Sequence, residues 1–217
     1  MIEVDEWLSQ HFYPKKVYRY LSPFDEKGLP EGFVYGRVDR QDIDSLNALI
    51  ILGFDIIETS LIFNQKDCVP YFKTECSFLI RVANGKDNTA VQEIAEHAFI
   101  HSRFHQDPNI PAALASSIKK NWVANYFLGK RGTSMIVCET KDAAIAGFML
   151  LINNTIDLIA VAPAYCRHGI ALKMIGLVNQ KFGLLNAGTQ SINKASIRLY
   201  QKAGFFLKNV QYVLHKH

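Results

Sequence analysis

Apolar residues along this chain gather into short runs, some at helical spacing and others dense in β-branched and aromatic residues, divided by Gly, Pro and Asn. The helical spacing predicts helices near Asp42 to Leu52, Ala90 to Phe99, Ala112 to Phe127, His168 to Phe182 and Lys194 to Ala203. The remaining runs predict strands near Ile56 to Asn64, Cys76 to Val82, Ser134 to Glu139, Ala144 to Ile152, Ile156 to Val161, Leu184 to Ala187 and Phe205 to Leu214. No low-complexity stretch separates them, so the expected class is mixed α and β.

Two of these stretches resemble each other. SLNALIILGFDIIETSLIF, from Ser45 to Phe63, lies without gaps on SIRLYQKAGFFLKNVQYVL, from Ser196 to Leu214, and brings Gly53-Phe54 onto Gly204-Phe205. Both read as helix, Gly turn, strand. That arrangement is common because Gly readily takes the positive φ that ends a helix, so chance likeness and an internal repeat both stand. In a repeat, Leu49 occupies the place of Tyr200, and a soft boundary falls near Phe72 to Cys76.

Composition narrows the partners rather than naming one. With 217 residues, 49% of them apolar, the chain can bury one substantial core or two modest ones. A net charge of +4, partly from His215, Lys216 and His217 at the tail, implies no strong field for nucleic acid or membrane. The opening MIEVDEWLSQ carries acids where a signal peptide has a basic stretch and apolar core, and no run approaches the roughly 20 apolar residues of a membrane span. Cys68, Cys76, Cys138 and Cys166 contain no CxxC pair, which disfavours zinc and a disulfide framework. A cytoplasmic protein without a metal is expected.

The candidate chemistry begins in IDLIAVAPAYCRHGIALKMIGLVN, where an apolar strand runs through Val161 and Pro163 into a basic turn that opens a helix at Gly169. Unpaired N–H groups at such a turn and the positive end of the helix dipole suit a pyrophosphate. Gly169 and Ala171 would admit a close approach, while Arg167 and His168 add positive character. An ordinary strand-to-helix connection with a surface Arg has the same pattern.

VAPAYCRHGIA resembles the acetyl-CoA-binding signature of the GNAT acetyltransferases, Q/R-x-x-G-x-G/A after a strand ending in V-x-P. Gly169 and Ala171 match; Cys166 departs, standing where the family has Gln or Arg. NKASIRLYQKAGF resembles the second signature, N-x-x-A/S-x-x-x-Y-x-x-x-G-F, through Asn193, Ser196, Tyr200, Gly204 and Phe205. The resemblance implies a GNAT fold, an α/β (α+β) protein with a mixed central sheet flanked by helices. It also implies acetyl-CoA as cosubstrate, bound by Ile159, Ala160, Val161, Cys166, Arg167, His168, Gly169, Ile170, Ala171 and Asn193. Tyr200 would be the catalytic acid, since a phenol with a pKa of about 10 is matched to protonating a departing thiolate.

The acceptor is expected along EHAFIHSRFHQDPNIPAALASSIKKNWVANYF, which sets His97, His101, Arg103, His105 and Asp107 around Phe104. A solvated loop and helix face would look the same. The pattern Ser102, Arg103, Phe104, Asp107, Pro108 and Trp122, with TQSINKASIRLY later, resembles the sugar-nucleotide amine acetyltransferases. That resemblance implies transfer to the 4-amino group of a TDP-linked 4,6-dideoxyhexose for surface polysaccharide synthesis, with Arg103, His105 and Asp107 contacting the acceptor. It further implies a degenerate GNAT-like half over residues 1–75 ahead of a catalytic GNAT domain over 76–217.

The expected reaction is direct transfer within a ternary complex: backbone N–H near Val161 steadies the oxyanion, Tyr200 protonates sulfur, and a water relay at His101, His105 or Glu139 takes the amine proton. A covalent role for Cys166 is disfavoured by its place in a pyrophosphate loop. The alternatives are a GNAT enzyme acting on a peptide N-terminus or another small amine, and a non-catalytic acetyl-CoA-binding module. Homodimers are frequent in the superfamily, and the sequence does not decide the point.

Overall fold

Capping residues and breakers set the elements. In the computed structural model, which describes residues 1–21, 29–69 and 78–217, the chain opens with β1 (Ile2–Val4), a single helical turn α1 (Glu6–Ser9), β2 (Val17–Tyr20) and β3 (Phe33–Asp39). Asp42 then caps α2 (Ile43–Ile51) by accepting from the Ser45 N–H at 3.1 Å, and β4 (Asp55–Gln65) follows. Next come β5 (Phe78–Val82), α3 (Asn88–Ala98), the short α4 (Arg103–Gln106) and α5 (Ala112–Phe127), which starts directly after Pro111. The hairpins β6 (Ser134–Thr140), β7 (Ile145–Ile152) and β8 (Thr155–Val161) lead into α6 (Ile170–Phe182). The chain closes with β9 (Asn186–Gln190), α7 (Lys194–Lys202) and β10 (Phe205–Lys216).

The ten strands among the described residues join one sheet in the order β1-β2-β3-β10-β4-β9-β8-β7-β6-β5. The pairs β2/β3 and β8/β9 are parallel and the rest antiparallel. Helices α3 and α5 cover one face, where Val91, Ala95 and Val123 pack on Phe148, Leu150 and Leu158. Helices α6 and α7 cover the other, where Met174, Ile175 and Tyr200 pack with Met149, Leu151 and Ile156. Phe104 and Ile118 form a separate core with Leu8 and Phe33 from the first strands.

Strand pairing gives the likeness between Ser45–Phe63 and Ser196–Leu214 a geometric form. Strands β4 and β10 lie antiparallel with Ser60 opposite Gln211, and these positions are themselves 151 apart, the offset of the two stretches. The pairs on either side follow suit: Tyr212 opposite Thr59 is matched by Val210 opposite Leu61, and Val213 opposite Glu58 by Asn209 opposite Ile62. The flanking pairs repeat as well, since β10 meets β3 with Gln211 opposite Asp39 and β4 meets β9 with Ser60 opposite Gln190. Strands from residues 1–75 and 76–217 therefore interleave in one sheet; the boundary expected near Phe72 to Cys76 lies outside the described residues.

The pattern of apolar positions located α2, α3, α5, α7 and most strands to within a few residues. Helix α6 starts at Ile170, not His168, because Gly169 caps it at φ 72. Strand β9 begins later than expected, since Leu185 turns into the core and its N–H bonds the Gln65 side chain at 3.1 Å instead of extending the ladder. Strands β1 to β3 and the turns α1 and α4 were not anticipated.

Candidate active site

The site starts where two strands part. Strands β8 and β9 pair only at Thr155 with Asn186 and Ile156 with Ala187, and then diverge. Beyond that point Ile159, Ala160 and Val161 keep β7 on one side, opposite Met149, Phe148 and Gly147. Among the described residues no strand pairs with their other backbone edge, and Ile159 lines a cleft of about 620 Å³ that opens where β8 and β9 part. A register shift beside Leu150 leaves Asp157 as the extra residue of β8, and its carboxylate accepts from Trp122 Nε1 at 2.8 Å, Tyr126 Oη at 2.7 Å and Arg131 Nε at 2.9 Å. Helix α5 and the loop after it are thereby fixed over the cleft. Sheet edges are normally paired or covered; an unpaired edge inside a fold offers N–H and C=O groups to an extended ligand.

Tyr200 reaches the same cleft from α7. It is 2% exposed, packed between Phe63 and Phe205 at ring distances of 5.7 and 5.2 Å, and its hydroxyl has no hydrogen bond among the described residues. Burial pushes the phenol above its ordinary value of 10, so it stays protonated across the working pH range. Asn193 also lines the cleft, where its Oδ1 caps α7 by accepting from the Ser196 N–H at 3.1 Å, leaving the amide NH₂ free of that task.

The turn from Cys166 to Ala171 closes one end of β8. Arg167 takes φ 68 and Gly169 φ 72, two left-handed residues on either side of His168, just ahead of α6. A Cβ on Gly169 would meet nothing within 4 Å, so its backbone lies open to a ligand and φ alone demands the glycine. The exposed Arg167 and His168 flank the turn, Ile170 is buried and anchors the helix, and Ala171 lies half-buried. His168 Nδ1 sits 3.0 Å from the Cys166 carbonyl and its ring 5.8 Å from Phe78. The Cys166 thiol donates weakly to the Val161 and Ala162 carbonyls at 3.8 and 3.6 Å. Cys166 is part of the frame of this turn.

The other end of the cleft holds groups that pattern reading did not single out. Glu58 of β4, 4% exposed, lines it together with Lys119. Burial raises the Glu58 carboxyl above its usual range against the opposing pull of Arg37, a Gln190 hydrogen bond, Arg103 and Lys119. Burial also lowers the Lys119 ammonium to about 8, and its Nζ lies 4.6 Å from the Trp122 ring. Glu58 sits inside the run Asp55–Gln65, where an acid among apolar residues reads as a solvent-facing strand position; only the sheet order turns it inward.

The acceptor residues expected from the sequence separate. Arg103 lines a second cleft of about 1110 Å³ between the first strands and α5, with its guanidinium 3.8 Å over the Tyr35 ring. His105 and Asp107 line neither cleft. His105 is held between Ser102 Oγ at 2.9 Å and Ser116 Oγ at 3.2 Å, and Asp107 is buried, accepting from His215 at 2.6 Å and His217 at 2.8 Å. Both are therefore packing pins for α4 and β10, a correction to their assignment as acceptor contacts. Among the relay candidates His101 does line the transfer cleft, whereas Glu139 is engaged by Arg81 at 2.5 Å on the far strands.

A family model of the acetyltransferase (GNAT) family matches residues 89–205, so the chain belongs to that family. It is 26% identical over 192 residues to the spore coat polysaccharide biosynthesis protein SpsD of Bacillus subtilis (strain 168), a match covering 84% of this chain and 66% of SpsD. The fold is similar to a GCN5-related N-acetyltransferase from Sphaerobacter thermophilus, with TM-score 0.57 and 16% identity over 85% of this chain and 59% of that one. It is similar also to a tandem GNAT protein from the clavulanic acid biosynthesis pathway, with TM-score 0.63 and 10% identity over 92% of this chain and 74% of that one. The chain thus spans about two thirds of SpsD and less of the first of these solved chains. No helix among the described residues is long and apolar enough to cross a membrane.

Proposed function

We propose that this protein transfers the acetyl group of acetyl-CoA to the amino group of a nucleotide-linked amino-deoxysugar, in the class of TDP-4-amino-4,6-dideoxyhexoses, by direct transfer in a ternary complex. The observation that carries this reading is the backbone edge of β8 left unpaired beyond Ile156, with Ile159 and Tyr200 lining one cleft, on the strand that leads into the Arg167–Gly169 turn. The amino-sugar acceptor draws on two further points: the likeness to a polysaccharide biosynthesis protein, and the cationic and aromatic cleft adjoining the transfer cleft.

Each residue has a physical task. The N–H groups of Arg167 to Ala171 and the α6 dipole hold a pyrophosphate, with Arg167 and His168 adding charge. Ile159, Ala160 and Val161 hydrogen-bond an extended amide-bearing arm, and Asn193 contributes its free amide. Acetyl-CoA supplies an activated thioester; the amine nitrogen forms a bond to the carbonyl carbon and the carbon–sulfur bond breaks. Tyr200 gives its proton to the departing sulfur and recovers one from solvent. Glu58, directly or through water, takes the proton the amine loses, and burial, by raising its pKa, makes it a stronger base than a free carboxylate. No covalent enzyme intermediate is needed, so Cys166 carries no acyl group. In this reading residues 1–75 are a degenerate copy that kept the frame and lost the phenol.

The test is Tyr200→Phe. Release of free CoA thiol should fall about 1000-fold, within the range of lost proton transfer, while acetyl-CoA affinity stays within about threefold of wild type. A variant that turns over normally, or that loses acetyl-CoA binding together with turnover, contradicts the assignment.

A further inference from the structure

The cleft of about 1110 Å³ adjoins the cleft at the β8/β9 gap, since Arg37 and Trp122 line both. Its walls carry Arg19, Arg37, Arg103, Lys130 and Arg131 against only Asp5 and Glu6. Asp5 is already engaged: its carboxylate accepts from the Leu8 N–H and the Tyr35 hydroxyl, both at 2.8 Å. Arg131 is likewise engaged by Asp157. Arg19, Arg37, Arg103 and Lys130 form no ion pair among the described residues. Arg103 is the most telling of these, since its Nη1 is buried with no acceptor and its guanidinium is wedged over Tyr35 and Phe104. Leaving a buried guanidinium donor unpaired is costly unless an anion or water completes it.

Aromatic surface adjoins the charge. The Trp7 ring meets Trp122 edge-on at 5.6 Å and His11 at 4.7 Å, and all three line this cleft. Flat rings beside several uncompensated cations are the combination that recognises a base joined to phosphates, by stacking and by charge-assisted hydrogen bonds. A small amine or a peptide N-terminus, being cationic or neutral, has no use for such a surface.

We infer that this second cleft binds the nucleoside diphosphate of the acceptor, with the diphosphate on Arg19, Arg37 and Arg103 and the base against Trp7, so that the sugar amine passes Trp122 into the transfer cleft. The inference rests on the sugar-nucleotide reading above and adds to it a site separate from the acetyl-CoA cradle. It makes Trp7, Arg19 and Arg37, which precede the family match over residues 89–205, part of what selects the acceptor together with Arg103 and Trp122.

The experiment is calorimetric titration of thymidine diphosphate into the full chain, alone and saturated with CoA. Arg19→Ala and Arg37→Ala serve as variants, with KM for the sugar nucleotide as a second readout. Saturable binding that persists with CoA bound, weakens at least tenfold in the double variant and weakens steeply with salt is the expected result. No saturable binding, or displacement by CoA, overturns the inference, as does an unchanged KM in the double variant. Thymidine diphosphate binding as expected while no sugar nucleotide is acetylated would keep the site and sink the proposed acceptor. Acetylation of a sugar nucleotide without thymidine diphosphate binding would do the reverse.

Discussion

The stretch from β3 through α2 to β4 and the stretch from β9 through α7 to β10 share one frame and differ in chemistry. Asp42 and Asn193 cap the two helices through the N–H three residues on, Gly53 and Gly204 end them at φ 84 and 75, and the strands pair symmetrically about Ser60 and Gln211. At the position facing the core, Leu49 is 0% and Tyr200 2% exposed, so one packs and the other packs and carries a hydroxyl. A second exchange runs the other way. Asn209 donates to Asp39 at 2.5 Å, while at the matching positions Glu58 bonds Gln190, so the acid and amide have changed places. The stretch without the phenol thus supplies the candidate base. Sharing a frame constrains caps, turns and register, and leaves the few side chains that do chemistry free to diverge.

Substitutions that separate frame from chemistry sharpen this comparison. Leu49→Ala should cost about 3 kcal/mol of unfolding free energy as a large-to-small core change, read by denaturant titration, with kcat nearly unchanged. Glu58→Gln should do the opposite, lowering kcat about 100-fold with little loss of stability. Because a base must be deprotonated to act, the wild-type rate should fall as pH drops through the raised Glu58 pKa, and the variant should lose that acid limb.

The two Gly turns differ next. A Cβ on Gly204 would lie 2.7 Å from the Asp67 carbonyl oxygen, whereas on Gly53 it would meet only Lys216 Nζ at 3.4 Å. Gly53→Ala should cost about 1 kcal/mol for its left-handed φ, and Gly204→Ala about 1 kcal/mol more for the clash, seen as unequal drops in Tm.

The smallest effect concerns the pin between α4 and β10. Burial lowers His215 from 6.5 to about 4, so between those values the unfolded chain binds a proton that the folded one refuses, and stability falls with pH. Asp107 is held below the usual carboxylate range against its own burial by His215, His217 and the Asn109 N–H, so its contribution is lost only at still lower pH. Thermal unfolding should drop by several degrees from pH 7 to 4.5, and His215→Gln should flatten that slope.

Much of the frame was legible because its signals are local. Helical spacing of apolar residues marked Ala112 to Phe127 as α5, and the spacing of Asn193, Tyr200 and Gly204 marked α7 and its turn. Strands β1 to β3 are short and draw their order from partners far along the chain; β3 pairs with β10, some 170 residues away, and no local period reports that. The density of titratable groups around Phe104 pointed to Arg103, His105 and Asp107 together, yet two of them are consumed by Ser102, Ser116, His215 and His217. Glu58 was invisible for the complementary reason, being an acid within an apolar strand whose neighbours come from β9 and β10.

The most direct test of the account is release of CoA thiol from acetyl-CoA with a panel of TDP-linked 4-amino-4,6-dideoxyhexoses, with spermidine and a peptide amine alongside. The account predicts turnover with a sugar nucleotide and none above background with the other two. Turnover confined to spermidine or the peptide amine would contradict the acceptor, and absence of turnover with every amine while acetyl-CoA still binds would contradict catalysis itself.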